Sequence, residues 1–324
     1  MQLLRSGNRR ALAKMITLVE SSLKEHIQES SLLVEKILRE RTSSTKETFR
    51  IGISGVPGVG KSTFIETFGQ YLIKKGHKVA VLAVDPSSSI AGGSILGDKT
   101  RMIHLSRDPN AYVRPSPARG TLGGVGKNTT EAVLLCEEAG YDIIIIETVG
   151  VGQSETVVES MVDMYLLLVL PSGGDELQGI KKGIVELADL IVVNKADGDL
   201  ERSARFAQFE YMNALKFVNP KFPFWRAKVL RCSSLTQEGV DVIWEHMSQY
   251  LHEMKQRGAF QERRSEQSED WMWRILNEMF KTRLLEDKSV LSLLPSLKKD
   301  TREHKITPYQ AAELLLKSFF KNSQ

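Results

Sequence analysis

The chain predicts an α/β fold: a mainly parallel sheet wrapped by helices, with further helices added at both ends. Three observations predict it. Gly55-Val56-Pro57-Gly58-Val59-Gly60-Lys61-Ser62-Thr63 fits G-x-x-x-x-G-K-[ST], and it lies between a strand-like run at 49–54 and the helically spaced Phe64, Ile65, Phe68, Leu72 and Ile73. The runs 79–84, 143–146 and 190–193 are continuously apolar, as parallel strands buried on both faces must be. These runs are followed by the polar residues Asp85, Glu147 and Asn194, and the carboxyl ends of strands are where open α/β sheets bind ligands.

Taken in chain order, Leu12, Met15, Ile16, Val19, Leu23 and Ile27 first make a helical stripe that packs on the core. A polar stretch at 41–48 links it to the sheet. The glycine motif then reads as a phosphate-binding loop. Its backbone N–H groups, from Gly55 to Thr63, wrap phosphate oxygens, and the helix N-terminus adds partial positive charge. Lys61 reaches the β- and γ-phosphates, and the Ser62 hydroxyl binds Mg²⁺. Gly76 ends the following helix as a C′ glycine.

Asp85 and Glu147 point toward the metal and the γ-phosphate. Asp98, in Gly97-Asp98-Lys99-Thr100-Arg101, lies in a loop able to fold over the same ion. Gly150 offers its N–H to the γ-phosphate. Val151 follows it where Ras-like GTPases place a water-orienting glutamine, and Gln153 comes too late, so intrinsic hydrolysis should be slow. Gly120 to Asn128 imitates a phosphate loop but lacks the first glycine and the hydroxyl, and no strand runs into it. It reads as a flexible functional loop.

Asn194-Lys195-Ala196-Asp197 resembles the guanine-specificity motif of GTPases. The Asp197 carboxylate only accepts hydrogen bonds, and guanine offers two adjacent donors where adenine offers none. Ser233 and Ser234, after the strand-like 227–230, take the place of a base-contacting loop. The core closes near 254, and the charged 263–270 reads as a linker. Two aromatic-bearing helices follow, one with Trp271, Trp273, Ile275, Met279 and Phe280 and one with Leu314 to Phe320, and they call for a dimer interface. The expected domains are a helical extension (1–48), a nucleotide-binding core (49–258) and a C-terminal helical arm (259–324).

Bulk properties narrow the class. A net charge of +4 over 324 residues does not call for nucleic acid, and no aromatic–basic interleaving is evident. Two distant cysteines suit a reducing compartment. Apolar runs such as 164–170 are too short to span a membrane. The basic N-terminus has the look of a transit peptide, but family-like sequence starts within it, so a cytoplasmic protein with an uncleaved helix is expected.

The motifs around Asp85, 92–102, 147–155 and 173–182, with Gly7-Asn8-Arg9-Arg10 and Ile306-Thr307-Pro308-Tyr309-Gln310 toward the ends, resemble the methylmalonyl-CoA mutase-associated GTPases over nearly the whole chain. The resemblance implies a phosphate-loop GTPase core with N-terminal helices and a C-terminal dimerisation arm. It implies GTP as substrate and GDP as product. Asp85 and Asp98 belong to the Mg²⁺ site and Glu147 to the hydrolytic site, with Lys61, Asp98 and Gly150 also serving catalysis. The loop 171–182 relays nucleotide state to the partner. The implied partner is an adenosylcobalamin-dependent acyl-CoA mutase, methylmalonyl-CoA mutase above all, and the work is gating cofactor loading and protecting the mutase. Two other readings stand beside it. A nickel-insertion GTPase needs Cys/His clusters, and a transport-associated kinase or ATPase conflicts with the guanine motif.

Overall fold

The computed structural model describes residues 1–21, 23–40, 47–84, 102–115, 122–148, 154–171 and 182–321. Seven strands form one sheet: β1 (Phe49–Gly55), β2 (Val79–Val84), β3 (Ala111–Pro115), β4 (Ile143–Thr148), β5 (Met164–Val169), β6 (Leu190–Val193) and β7 (Lys228–Arg231). Their order is β3-β2-β4-β1-β5-β6-β7, and every neighbouring pair is parallel. β4, β5 and β6 are buried along their full length, which explains the absence of alternation in their sequences.

The helices in order are α1 (Gln2–Arg5), α2 (Arg9–Val19), α3 (Lys24–Glu40), α4 (Lys61–Lys74), α5 (Ile103–Arg107), α6 (Leu122–Glu138), α7 (Ser154–Glu159), α8 (Lys182–Leu187), α9 (Glu201–Ala214), α10 (Val240–Gln256), α11 (Ala259–Glu286), α12 (Lys288–Arg302) and α13 (Pro308–Lys321). The chain forms two compact units, 1–267 and 268–324. In the first, Phe64, Phe68 and Leu72 of α4 join Ile243, Met247 and Tyr250 of α10 and the side chains of β1 in one apolar core. α2 packs on α6. In the second, Asp287 caps α12 through the N–H groups of Ser289 and Val290, and Phe280 meets Phe319 edge-on at 5.7 Å.

Four expectations need correction. The N-terminal stripe is not one helix. α2 stops at Val19, and only Leu12, Ile16 and Val19 are buried, while Leu23 and Ile27 are exposed. Ser21 accepts the N–H of Leu23 and meets the His26 ring, offering the backbone a local alternative to helix. The glycine-rich 120–128 is not a free loop, because α6 covers it from Leu122. Burial of Thr129, Ala132, Val133, Leu135 and Cys136 on that helix outweighs the helix-weakening glycines. A strand does precede it, namely β3, a short edge strand ending in proline. The charged 263–270 is not a linker but part of α11.

Its charges are held by the core. Arg264 grips Asp163 with two bonds of 2.7 Å and donates to the Thr48 carbonyl at 2.9 Å. Arg263 donates to the Val162 carbonyl and to Glu159. Glu137 of α6, fully shielded from solvent, accepts from Thr48 at 2.6 Å and from Arg50 at 2.8 Å. Burial pushes the Glu137 carboxyl up, but Arg50, Arg264 and Thr48 outweigh it and bring it down to about 2. Its stabilising contribution is therefore complete above its ordinary value of 4.5 and is lost as pH falls toward 2. We expect Glu137→Gln to cost about 3 kcal/mol near neutrality. Urea unfolding of both proteins at stepped pH checks this: the gap between them should close between pH 4.5 and 2, and a gap independent of pH would refute the assignment.

Candidate functional site

The carboxyl ends of β1, β4 and β6 converge above the centre of the sheet. β1 runs directly into the phosphate loop, and α4 begins at Lys61 with Gly60 as its N-cap. No side chain caps this helix, so the N–H groups of its first turn face the loop, as an anion site requires. Two glycines are demanded by contacts. A Cβ on Gly55 would lie 2.5 Å from the Leu168 carbonyl oxygen, and one on Gly60 would lie 2.9 Å from Asn194 Nδ2. Gly58 and Gly60 also hold φ of +84° and +92°, in the left-handed region. Val56, Pro57 and Thr63 complete the loop, and the Val59 N–H closes it on the Val56 carbonyl at 3.2 Å.

Lys61 Nζ donates to the Gly55 carbonyl at 2.7 Å, so its ammonium lies folded across the loop. Burial pushes this ammonium below its ordinary value, against the opposing fields of Glu147 and Glu155. Ser62 Oγ stands 3.5 Å from Oε1 of Glu147, the buried penultimate residue of β4. A hydroxyl and a carboxylate brought together in this way are the hard oxygen donors that Mg²⁺ takes, and they fit the ion. Asp85, Asp98 and Gly150 lie outside the described residues, as does most of the 171–182 stretch expected to act as a relay.

The base-side motif is built on β6. Asn194, 1% exposed, donates from Nδ2 to the Val59 carbonyl at 2.9 Å. Its Oδ1 accepts from the Ser234 hydroxyl at 2.7 Å and the Ser234 N–H at 3.2 Å, with Cys232 Sγ at 3.5 Å. The Ala196 N–H donates to the Cys232 carbonyl at 3.0 Å. Lys195 takes a left-handed φ of +58°, a conformation costing about 1–2 kcal/mol, and the bonds made by Asn194 and Ala196 hold it there. Asp197 follows, partly exposed. Ser233 is buried, and its hydroxyl accepts the Thr236 N–H at 3.1 Å. The structure thus brings together the phosphate loop, Glu147, Asn194, Lys195, Asp197, Ser233 and Ser234. Both serine side chains brace the loop from within.

Three contributors escaped the sequence reading. Thr67 of α4 donates to the Ser234 carbonyl at 2.8 Å, which ties the helix behind the phosphates to the base loop. The Thr148 hydroxyl donates to Ser54 at 3.0 Å, both fully buried under the phosphate loop. Glu155 of α7 is buried and acts on Lys61. None belongs to a phosphate-loop or guanine pattern. Only the quoted stretch 147–155 touched the last two.

The family model described as methylmalonyl Co-A mutase-associated GTPase MeaB matches residues 12–289. The chain belongs to this family. Among relatives of the MeaB-family chain, the Mus musculus "Methylmalonic aciduria type A homolog, mitochondrial" is 50% identical over 97% of this chain and 77% of its own length. The Escherichia coli "GTPase ArgK" is 47% identical over 86% of this chain and 84% of its own length. The crystal structure of a "LAO/AO transport system kinase" superposes with a TM-score of 0.78 at 36% identity, covering 98% of this chain and 95% of that one. The family's description and the name of the Escherichia coli relative agree on a GTPase role, and the family's description adds association with a mutase.

The Asn194 bridge yields a test. Asn194→Ala orphans a buried carbonyl and several donors, and should cost about 2–4 kcal/mol while weakening GDP binding at least tenfold. Asn194→Asp should be worse, because a carboxylate cannot donate to the Val59 carbonyl. Thermal unfolding and nucleotide titration decide it, and wild-type values in Asn194→Ala would remove the bridge from the account.

Proposed function

We propose that this chain is a GTP-hydrolysing chaperone that gates adenosylcobalamin loading and protects or reactivates methylmalonyl-CoA mutase or a related acyl-CoA mutase. The observation that carries the nucleotide part is the direct bond between the guanine motif and the phosphate loop, from Asn194 to the Val59 carbonyl at 2.9 Å. The family match supports the mutase part.

In this reading Asp197 accepts from the guanine ring N–H and amino group, while Lys195 lines the nucleotide. Lys61 and the loop amides neutralise the phosphates. Ser62, Asp85, Asp98 and Glu147 would hold Mg²⁺, which would supply charge neutralisation for the phosphate oxygens. Glu147 polarises the attacking water, and Gly150 steadies the γ-phosphate. The 259–324 arm joins two copies in a homodimer, and the protein works in the cytoplasm without nucleic acid or membrane.

Asp197→Asn should shift preference from GTP toward XTP by at least about 100-fold, since the amide donates to the oxygen that replaces guanine's amino group. Competition binding of the two nucleotides reads this directly, and unchanged discrimination would show that Asp197 does not read the base. Hydrolysis by the protein alone should be slow, and the mutase should accelerate it. A catalytic group added in trans changes such rates by about 10³–10⁵, and ordering of loops should give less. Single-turnover hydrolysis with and without the mutase measures it. An unstimulated wild type would defeat the chaperone reading. Equal stimulation of Asp175→Lys and Lys181→Glu would exclude the 171–182 loop as relay.

A further inference from the structure

α9 turns an unusual face outward. Its buried side carries Ala204, Ala207 and Tyr211. At 100° per residue, Phe206 and Phe209 point the opposite way, and they are 58% and 61% exposed. Phe217, in the turn that follows, is 85% exposed. Aromatic side chains grouped outward on a soluble protein mark a contact surface. Beside them opens a cavity of about 390 Å³, and half-exposed Met212 lies on its wall.

Charge adds direction to this apolar surface. Between 202 and 228 lie the basic Arg202, Arg205, Lys216, Lys221, Arg226 and Lys228 against one acid, Glu210. That is a surplus of five in a chain whose net charge is +4. The small overall charge hides the cluster, and the expected absence of aromatic–basic interleaving fails here. Arg205 and Lys221 are spent on Glu201 and on Glu159. Arg202 and Arg226 make no ion pair among the described residues. Lys216, Lys221, Arg226 and Lys228 line the cavity beside the acids Glu186 and Asp189, the second already met by Lys221 at 3.5 Å, and Lys228 lies over the Trp225 ring at 5.7 Å.

Only the start of α9 adjoins the nucleotide site. α9 begins four residues after Asp197, and β7 beyond it leads into Cys232, Ser233 and Ser234, while the cavity, walled by Ala188, Asp189 and Lys228 at the starts of β6 and β7, opens toward the amino edge of the sheet. The surface therefore lies on the connection between the two segments that flank the base. We infer that the outer face of α9 and the cavity beside it form the docking surface for the mutase, which meets it with an apolar anchor inside an acidic rim. This rests on the mutase reading above. A protein partner is favoured over RNA or a lipid surface because a concave cavity adjoins the exposed aromatics, and hot-spot anchors seat in such pockets.

The test uses the full chain and purified methylmalonyl-CoA mutase, with affinity measured by calorimetry at low and high salt. Single-stranded RNA and phosphatidylserine vesicles are titrated in parallel. Variants are the double substitution Phe206→Ser with Phe209→Ser, and Arg226→Glu, all at exposed positions, with thermal unfolding as a check on folding. The wild type should bind the mutase more weakly as salt rises. Each variant should raise Kd at least about tenfold and lose mutase-stimulated hydrolysis, with basal hydrolysis within about twofold of wild type. Arg226→Glu should also flatten the salt dependence. Mutase binding unchanged in both variants overturns this docking surface alone. The same holds if the variants lose RNA or vesicle binding while keeping the mutase. A wild type that fails to bind the mutase overturns the functional reading, and this inference with it.

Discussion

One buried amide holds the nucleotide site together. Asn194 directly follows β6, and β5 separates β6 from β1, which carries the phosphate loop. The Asn194 side chain reaches past the end of β5 to the Val59 carbonyl, while its oxygen collects the Ser234 loop. Inside the protein such bonds are strong, and leaving any partner unpaired is costly. The arrangement dictates its surroundings. Gly60 can have no Cβ because Asn194 occupies that space, and Ser234 must supply both a hydroxyl and an N–H. Phosphate loop and base loop therefore form one rigid frame, braced from behind by Thr67.

The frame stands on a sheet stapled at its other end. Glu137, Asp163 and Glu159 gather Arg50, Arg263, Arg264 and Lys221 at the amino edge of the strands, far along the chain from one another. Desolvation makes each of these charges expensive alone, so the network is sound only while every member stays paired. It fixes the start of α11 on the core. Nucleotide chemistry occupies the carboxyl edge of the sheet and structural ion pairs occupy the amino edge. The apolar strands between them keep the two sets of charges apart.

Much of this was legible in the residues. The glycine loop, the unalternating strands and the Asn194 motif each carry a local physical reason, so they survived folding as read. What failed depended on tertiary context. β3 is five residues long and ends in Pro115, too little pattern to announce a strand. The glycines at the start of α6 look like a loop until their helix is packed. Arg263 and Arg264 look like solvated linker charges until their buried carboxylate partners, a hundred residues earlier in the chain, come into place. Thr67 belongs to no motif and Glu155 only to the quoted stretch 147–155, which gave it no role, since both roles arise from helix placement.

The outermost strands bear on how this protein avoids harmful self-association. Among the described residues β3 and β7 are the outer strands of the sheet, and an outer strand with unpaired backbone groups is the template on which fibrils and runaway strand addition begin. Both are blunted. β3 finishes in Arg114 and Pro115, and the ring nitrogen of proline cannot donate to an incoming strand. β7 is four residues long, starts with Lys228 and ends with Arg231, and Gln208 already occupies its Val229 carbonyl at 2.7 Å. Each of these features makes strand addition at that edge less favourable. The exposed aromatic side chains Phe206 and Phe209 thus stand on a helix, where no open strand edge adjoins them to template fibril growth.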